Sequence, residues 1–178
     1  MKNTFLLLLL ISTLLFSCDK IDEINTIEFD TTLSMDIPVA VVGTTARLNK
    51  SAQAEFSFSQ SQTTRLSDIE EVSDYLNKLK SIAINDVEIA ISNLGADEVI
   101  NTIDISVTGA GTLVTLTDIS AANNVQSPDI DSAVLMQAVS ILNSTKEIEV
   151  TVSGTTNTAP MSFIVNMDFD CHIEAEAI

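Results

Sequence analysis

The stretch MDFDCHIEAE, residues 167–176, is the sharpest candidate for chemistry in the sequence. Its odd positions are apolar, and its even positions read Asp168, Asp170, His172, Glu174 and Glu176. A strand points alternate residues to one face, so these five side chains would line one surface at spacings of about 7 Å. Carboxylates beside an imidazole can hold a divalent cation, and the oxygen-rich set Asp168, Asp170, His172 and Glu174 favours Ca²⁺. A single strand cannot wrap an ion that takes six to eight oxygens at about 2.3–2.6 Å, so neighbouring strands would have to contribute. The competing expectation is a solvated acidic face that discourages edge-to-edge pairing and needs no cofactor.

Other chemistries find less support. Val107-Thr108-Gly109-Ala110-Gly111-Thr112 has two glycines of a nucleotide-binding loop but lacks the third. The residues after it, from Leu113, are strand-like rather than a helix whose first amides could hold phosphate, so a hairpin turn is expected. A hydrolytic triad would have to use His172, the single histidine. No Gly-x-Ser-x-Gly elbow occurs, and the strand carrying His172 offers no neighbouring nucleophile. Cys171 falls on the apolar side by parity, which marks it as a small core residue rather than a reactive thiol. The expectation is a protein without catalytic activity.

Charge narrows the partners. Twenty-five acidic against eight basic residues give a formal net charge of −17, the opposite of the basic footprint that nucleic acid requires. The same charge disfavours adsorption to anionic headgroups, so any membrane attachment must come from a hydrophobic anchor.

The first residues supply one. Lys2 precedes an apolar run from Phe5 to Phe16, closed by Leu15-Phe16-Ser17-Cys18. The run is about a dozen residues, shorter than the roughly 20 that cross a bilayer as a helix, and suits a secretory signal. Leu15 to Cys18 resembles the bacterial lipobox, with Ser17 as the small residue and Phe16 a bulky occupant of its position. That resemblance implies cleavage before Cys18 and acylation of its thiol. Residues 1–17 would be a signal peptide, and residues 18–25 a lipidated cysteine with an acidic tether. Removal of Lys2 alone would take the charge from −17 to −18. Acylation would also leave Cys171 without a disulfide partner. Asp19, Asp22 and Glu23 resemble the acidic export tag of surface lipoproteins of the Bacteroidota, which implies an outer-membrane lipoprotein exposed at the cell surface.

Residues 26–178 carry the alternation of half-buried strands. Apolar residues alternate through Ile27–Ile37, Glu55–Ser59, Ile103–Val107, Ile148–Val152 and Met161–Ile173, and Leu113 to Ile119 reads as the strand returning after the Gly109–Gly111 turn. In 82–91 the apolar parity changes from even to odd, which places a β-bulge at Asn85-Asp86. Gln60 to Thr64 reads as a polar linker, and 43–53 as a loop. Ser67-Asp68-Ile69-Glu70 is a capping box, predicting a helix over 68–79. Ser127-Pro128-Asp129 predicts the start of a second, with Ile130, Val134, Ala138 and Ile141 as its buried stripe. Ile148–Val152 and Met161–Ile173 read as two arms of a hairpin. The expected fold is mainly β: an antiparallel two-sheet sandwich of about 7–8 strands with two short helices. It is similar to small immunoglobulin-like domains of bacterial lipoproteins. The functional expectation is a binding module for a protein or glycan, using strand faces or the loops 43–53 and 153–160. The alternatives are a carrier holding an apolar ligand near Phe56, Phe58, Phe163 and Phe169, or a hydrolase.

Overall fold

A computed structural model describes residues 25–43 and 55–177. In chain order the elements are β1 (Thr26–Val41), β2 (Phe56–Arg65), a 3₁₀ turn (Leu66–Asp68), α1 (Glu70–Ser73) and β3 (Leu79–Ser92). They continue with β4 (Ile100–Val107), β5 (Gly111–Ile119), β6 (Val125–Gln126), α2 (Ser132–Thr145), β7 (Glu147–Thr156) and β8 (Met161–Glu176). Among the described residues eight strands form two four-stranded antiparallel sheets, ordered β1-β8-β3-β6 and β2-β7-β4-β5. The result is the β-sandwich expected from the alternation.

Alternation builds the core directly. Along β8 every odd residue from Met161 to Ala175 is buried, and Leu33, Met35, Ile37, Val39 and Val41 form a matching row on β1. From the second sheet, Ile103, Ile105, Val107, Ile148, Val150 and Val152 face them. Phe58 meets Phe163 edge to face with ring centroids 5.3 Å apart, bringing an aromatic side chain from each sheet into contact. On β3 the register against β8 shifts between Ile84 and Asp86. The extra residue, Asn85, is the predicted bulge; it keeps Ile82, Ile84, Val87, Ile89 and Ile91 all buried.

Several local expectations give way to tertiary demands. The polar stretch Gln60–Thr64 is not a linker but the middle of β2, paired residue for residue with β7 from Phe56↔Thr156 to Arg65↔Glu147. Backbone pairing with an apolar neighbour holds it there, and Thr64 is buried in the process. Pro38 does not end β1, which runs on to Val41. Because β1 is an edge strand, the N–H that proline lacks need not serve the ladder.

The helix predicted over 68–79 shrinks to the single turn of α1, preceded by the 3₁₀ turn. Ile69 between them is extended, and Asp68 accepts from the Arg65 amide while Ser67 bonds Asp68 rather than capping toward Glu70. This segment must cross from one sheet to the other while seating Leu66 and Val72, both fully buried, so core contacts override a short helix that is marginal by itself. Helix α2 begins at Ser132, later than Ser127-Pro128-Asp129 suggests, because Val125–Gln126 is first drawn into pairing with Ile89–Ala90. Asp131 is its cap, accepting from the Ala133 amide at 2.8 Å. Of the predicted stripe only Ala138 is fully buried, with Leu142 beside it and Val134 and Ile141 partly covered.

Strands β7 and β8 are not a hairpin: they lie in opposite sheets. Asn157 explains the split. Its backbone N–H donates to the Val99 carbonyl at 3.0 Å, and its side chain accepts from the Val99 amide and donates to the Asp97 carbonyl. The chain thus stays with the second sheet past Thr156 before crossing over to β8, through a cis Ala159–Pro160 bond.

Asn143 performs a related task on α2. Its amide accepts from the Ile82 N–H and donates to the Ile82 carbonyl, both at 3.0 Å, so a side chain satisfies a stretch of β3 that β6 is too short to reach.

Gly154 on β7 sits where the backbone of β4 comes close. A Cβ built there would lie 2.0 Å from the Thr102 carbonyl and 2.9 Å from the Phe58 ring. Gly154→Ala should therefore force β4 and β7 apart and cost about 1–3 kcal/mol, read as a lower denaturant midpoint. An unchanged midpoint would show that the ladder relaxes freely.

Candidate functional site

The even row of β8 emerges on the solvent face of the first sheet, as its spacing predicts. Asp168, Asp170 and Glu176 are exposed; His172 and Glu174 are half-buried. Because β8 is flanked on both sides, the face is three strands wide. Register sets Ser34, Thr32, Asp30, Glu28 and Thr26 of β1 beside Asp168, Asp170, His172, Glu174 and Glu176 in turn. On the other side Glu88 pairs with Asp168, Asp86 with Asp170, Ala83 with His172 and Ser81 with Glu174.

His172 is the focus of this face. Its Nδ1 lies 2.7 Å from Asp30 Oδ1 and its Nε2 lies 3.9 Å from Glu28 Oε2. Both partners come from β1, and nothing in residues 167–176 announces them. The available signal was the outward parity of Glu28 and Asp30 in the first strand, which becomes useful only once β1 is known to pair with β8. The Asp30 hydrogen bond raises the imidazole pKa above its ordinary value, opposed by partial desolvation and reinforced by the charges of Asp30, Glu28 and Glu174. Toward the far end of the face a second polar chain crosses all three strands. Ser92 donates to Asn166 Oδ1 at 2.9 Å, and Asn166 Nδ2 donates to Asp36 at 2.6 Å.

The sequence grouped Asp168, Asp170, His172 and Glu174 as candidate cation ligands. All four share the face, but strand geometry spaces them along it rather than around a point. Among the described residues no group of three or more His, Cys, Asp or Glu side chains has an arrangement that could hold a metal ion. His172 is turned instead toward β1.

Cys171 lies in the core, fully buried, with its thiol 3.4 Å from the Phe169 carbonyl. Burial pushes its pKa up to about 11. Gly109-Ala110-Gly111 forms the hairpin turn between β4 and β5, with φ of 85° at Gly109 and 112° at Gly111, as expected for glycine in such a turn. The aromatic rings suggested as walls of a ligand space pack into the interior: Phe58, Phe163 and Phe169 are buried and Phe56 is partly covered.

The two ends of the sandwich differ. Thr26 and Glu176 pair at one end, where Arg65, Lys78, Lys80 and Lys146 also gather. These are the four cations among the described residues, and each makes a local contact: Arg65 with Glu147, Lys78 with Ala177, Lys80 with Thr26 and Lys146 with Asn143. The opposite end holds the start of β2, the β3–β4 connection and residues 157–160. A depression of about 590 Å³ lies there, bounded by Val42, Asn93, Glu98 and Pro160 among others. Cys18, the tether residues 19–24 and all but Gly43 of the loop expected at 43–53 lie outside the described residues. No described helix is long and apolar enough to cross a membrane.

No family model and no curated protein matches the chain. Among solved structures it is similar to the decameric BFDV capsid protein, with 10% identity over 83% of this chain and 99% of that one, at a TM-score of 0.39. It is likewise similar to a desmodium yellow mottle tymovirus chain, with 10% identity over 85% and 90% of the two chains and a TM-score of 0.34. Overlaps of this quality carry no inference about role.

The titratable residues give two measurable outcomes. The His172–Asp30 interaction favours the imidazolium. Its contribution to stability is therefore complete below the ordinary histidine pKa of about 6.5 and fades as pH rises through the raised folded value. Asp30→Asn should consequently lower the melting temperature more at about pH 5.5 than at about pH 8.5; an equal loss at both would remove the charge-assisted bond from the account. For Cys171, iodoacetamide should label the thiol only after unfolding, mapped by peptide mass. Full labelling under native conditions would contradict its burial.

Proposed function

We propose that this chain is a lipid-anchored bacterial envelope protein whose sandwich is a non-catalytic binding or interaction module, held at the outer membrane and facing outward. The observation that carries the reading is the N-terminal pattern, a basic residue, an apolar run and Leu15-Phe16-Ser17-Cys18. The position of the fold is consistent with it. β1 begins at Thr26, so residues 19–25 would be the link between an acylated Cys18 and the domain. Seven extended residues span at most about 25 Å, close enough to keep the Thr26 end of the sandwich near the bilayer. Three acyl chains, the usual complement implied by the lipobox resemblance, would hold such a tether stably, whereas a single chain binds only marginally.

With that end toward the membrane, residues 157–160 and the depression beside Val42 and Pro160 would point away from it, where a protein or glycan partner could reach them. The buried packing of Phe58, Phe163 and Phe169 supports binding at the surface over carriage of an apolar ligand between the sheets. His172, committed to Asp30 and Glu28, supports a structural rather than a catalytic part for the lone imidazole.

Mass spectrometry of the N-terminal peptide from native membranes is the test. The expected species starts at Cys18 with the added mass of a thioether-linked diacylglycerol and loses its protein portion when intact cells are shaved with protease. A peptide starting at Met1, or at an unmodified Cys18, would overturn the anchor; resistance to shaving would overturn the outward placement.

A further inference from the structure

The two outer faces of the sandwich are chemically unlike. The first sheet shows carboxylates around His172, whereas the second shows hydroxyls in register. Residues of β2, β7, β4 and β5 that point away from the core line up across the sheet in three rows. Ser57, Thr155, Thr102 and Thr117 make the first row. Ser59, Ser153, Asp104 and Thr115 make the second. Ser61, Thr151, Ser106 and Thr112 make the third. Eleven of these twelve positions are serine or threonine. Alternation requires only that such positions be polar, so in a chain with twenty-five acidic residues a single carboxylate sets this face apart. The members on β2 and β5 are exposed, and those on β7 and β4 are half-buried. Nine of the twelve stand on β7, β4 and β5, away from the segment that leads into β2.

The rows hold no lysine or arginine that could pair with an anion. Their one carboxylate, Asp104, already accepts from the Thr115 hydroxyl. They present no large apolar side chain, so the face lacks the apolar centre of a protein–protein interface. What remains is the alcohol group, which donates once and accepts twice. The Thr102 and Thr155 hydroxyls lie 3.1 Å apart, and those of Ser61 and Thr151 lie 2.8 Å apart. Each such pair still leaves one O–H and free lone pairs at the surface. The hydroxyls of a sugar have the same donor and acceptor count.

We propose that the outer face of β2-β7-β4-β5 binds a neutral polysaccharide, laid as an extended chain across the hydroxyl rows. The inference rests on the binding-module reading above and narrows its partner to a glycan. Four strands about 4.8 Å apart and three rows about 6.8 Å apart make a patch about 14 Å on a side. Neighbouring strands twist by about 20–25°, so a flexible chain can follow the rows where a flat crystalline surface cannot. The net charge of −17 repels an anionic polymer and leaves a neutral one unaffected. With no aromatic ring in the rows to stack on a sugar, each contact is weak. Binding gains strength when one polymer meets many anchored copies at once.

The test is native electrophoresis of the full chain in non-ionic detergent, through gels containing dextran, galactomannan or polygalacturonate. At least one neutral polymer should retard the protein, and anionic polygalacturonate should not. Thr102→Val combined with Thr155→Val keeps the β-branched shape and removes two central hydroxyls. It should weaken the retardation about fivefold or more while leaving the melting temperature unchanged. Thr32→Val, on the outer face of the first sheet, should bind like the unaltered chain. Free migration through both neutral polymers, equal retardation by polygalacturonate, full binding by the double variant or equal loss in Thr32→Val would each overturn the proposal. The lipid anchor is judged separately by N-terminal mass, so either reading can fail without the other.

Discussion

The constraint on which the molecule depends is the two-residue period of β8 in the middle of a sheet. Flanked by β1 and β3, β8 cannot shift by one residue without driving Asp168, Asp170, His172 and Glu174 into the core and Phe163, Phe169 and Cys171 into water. Burying unpaired carboxylates is prohibitive, and exposing two phenylalanines forfeits about 1.5–3 kcal/mol each. Register is therefore fixed by both faces at once. β1 follows it without a shift from Thr26↔Glu176 to Val41↔Met161, and β3 follows it by inserting Asn85. The acidic face and the dry core are two consequences of one alternation.

From that fixed strand the rest of the fold solves a problem of ends and edges. Backbone groups left over by the short β6 are met by the amide of Asn143 on α2. Asn157 holds the end of β7 against Val99 and delivers the chain to the other sheet. Among the described residues the arginine and the three lysines stand near the Thr26 end, and there each is tied to a neighbour. Across the outward face of β1, β8 and β3, His172 lies against Asp30 and Glu28 of β1, and the Asp30 hydrogen bond raises its pKa, favouring the protonated form.

Much of this was legible in the chain alone. The sandwich class, the bulge at Asn85-Asp86, the turn at Gly109–Gly111, the inward thiol of Cys171 and the shared face of Asp168 to Glu176 all come from local parity and turn chemistry. Each depends on steric rules that act over a few residues, so the chain states them without help. Where the apolar pattern was faint, local reading failed. Gln60–Thr64 has the composition of a linker and becomes a strand because β7 offers it a ladder; residues 68–79 have the spacing of a helix and lose it because Leu66 and Val72 must reach the core.

What the sequence determined by itself is which side of each strand is wet and which is dry. Tertiary structure alone decided which strands are neighbours. An apolar row faces a core whether its strand returns beside its predecessor or crosses to the opposite sheet, so β7 and β8 read as a hairpin while belonging to different layers. By the same reasoning the partners of His172 lay about 140 residues away on β1, invisible until pairing was known. Parity is set by bond geometry along the chain, whereas partnership is set by contacts between residues far apart in it, and only folding brings those together.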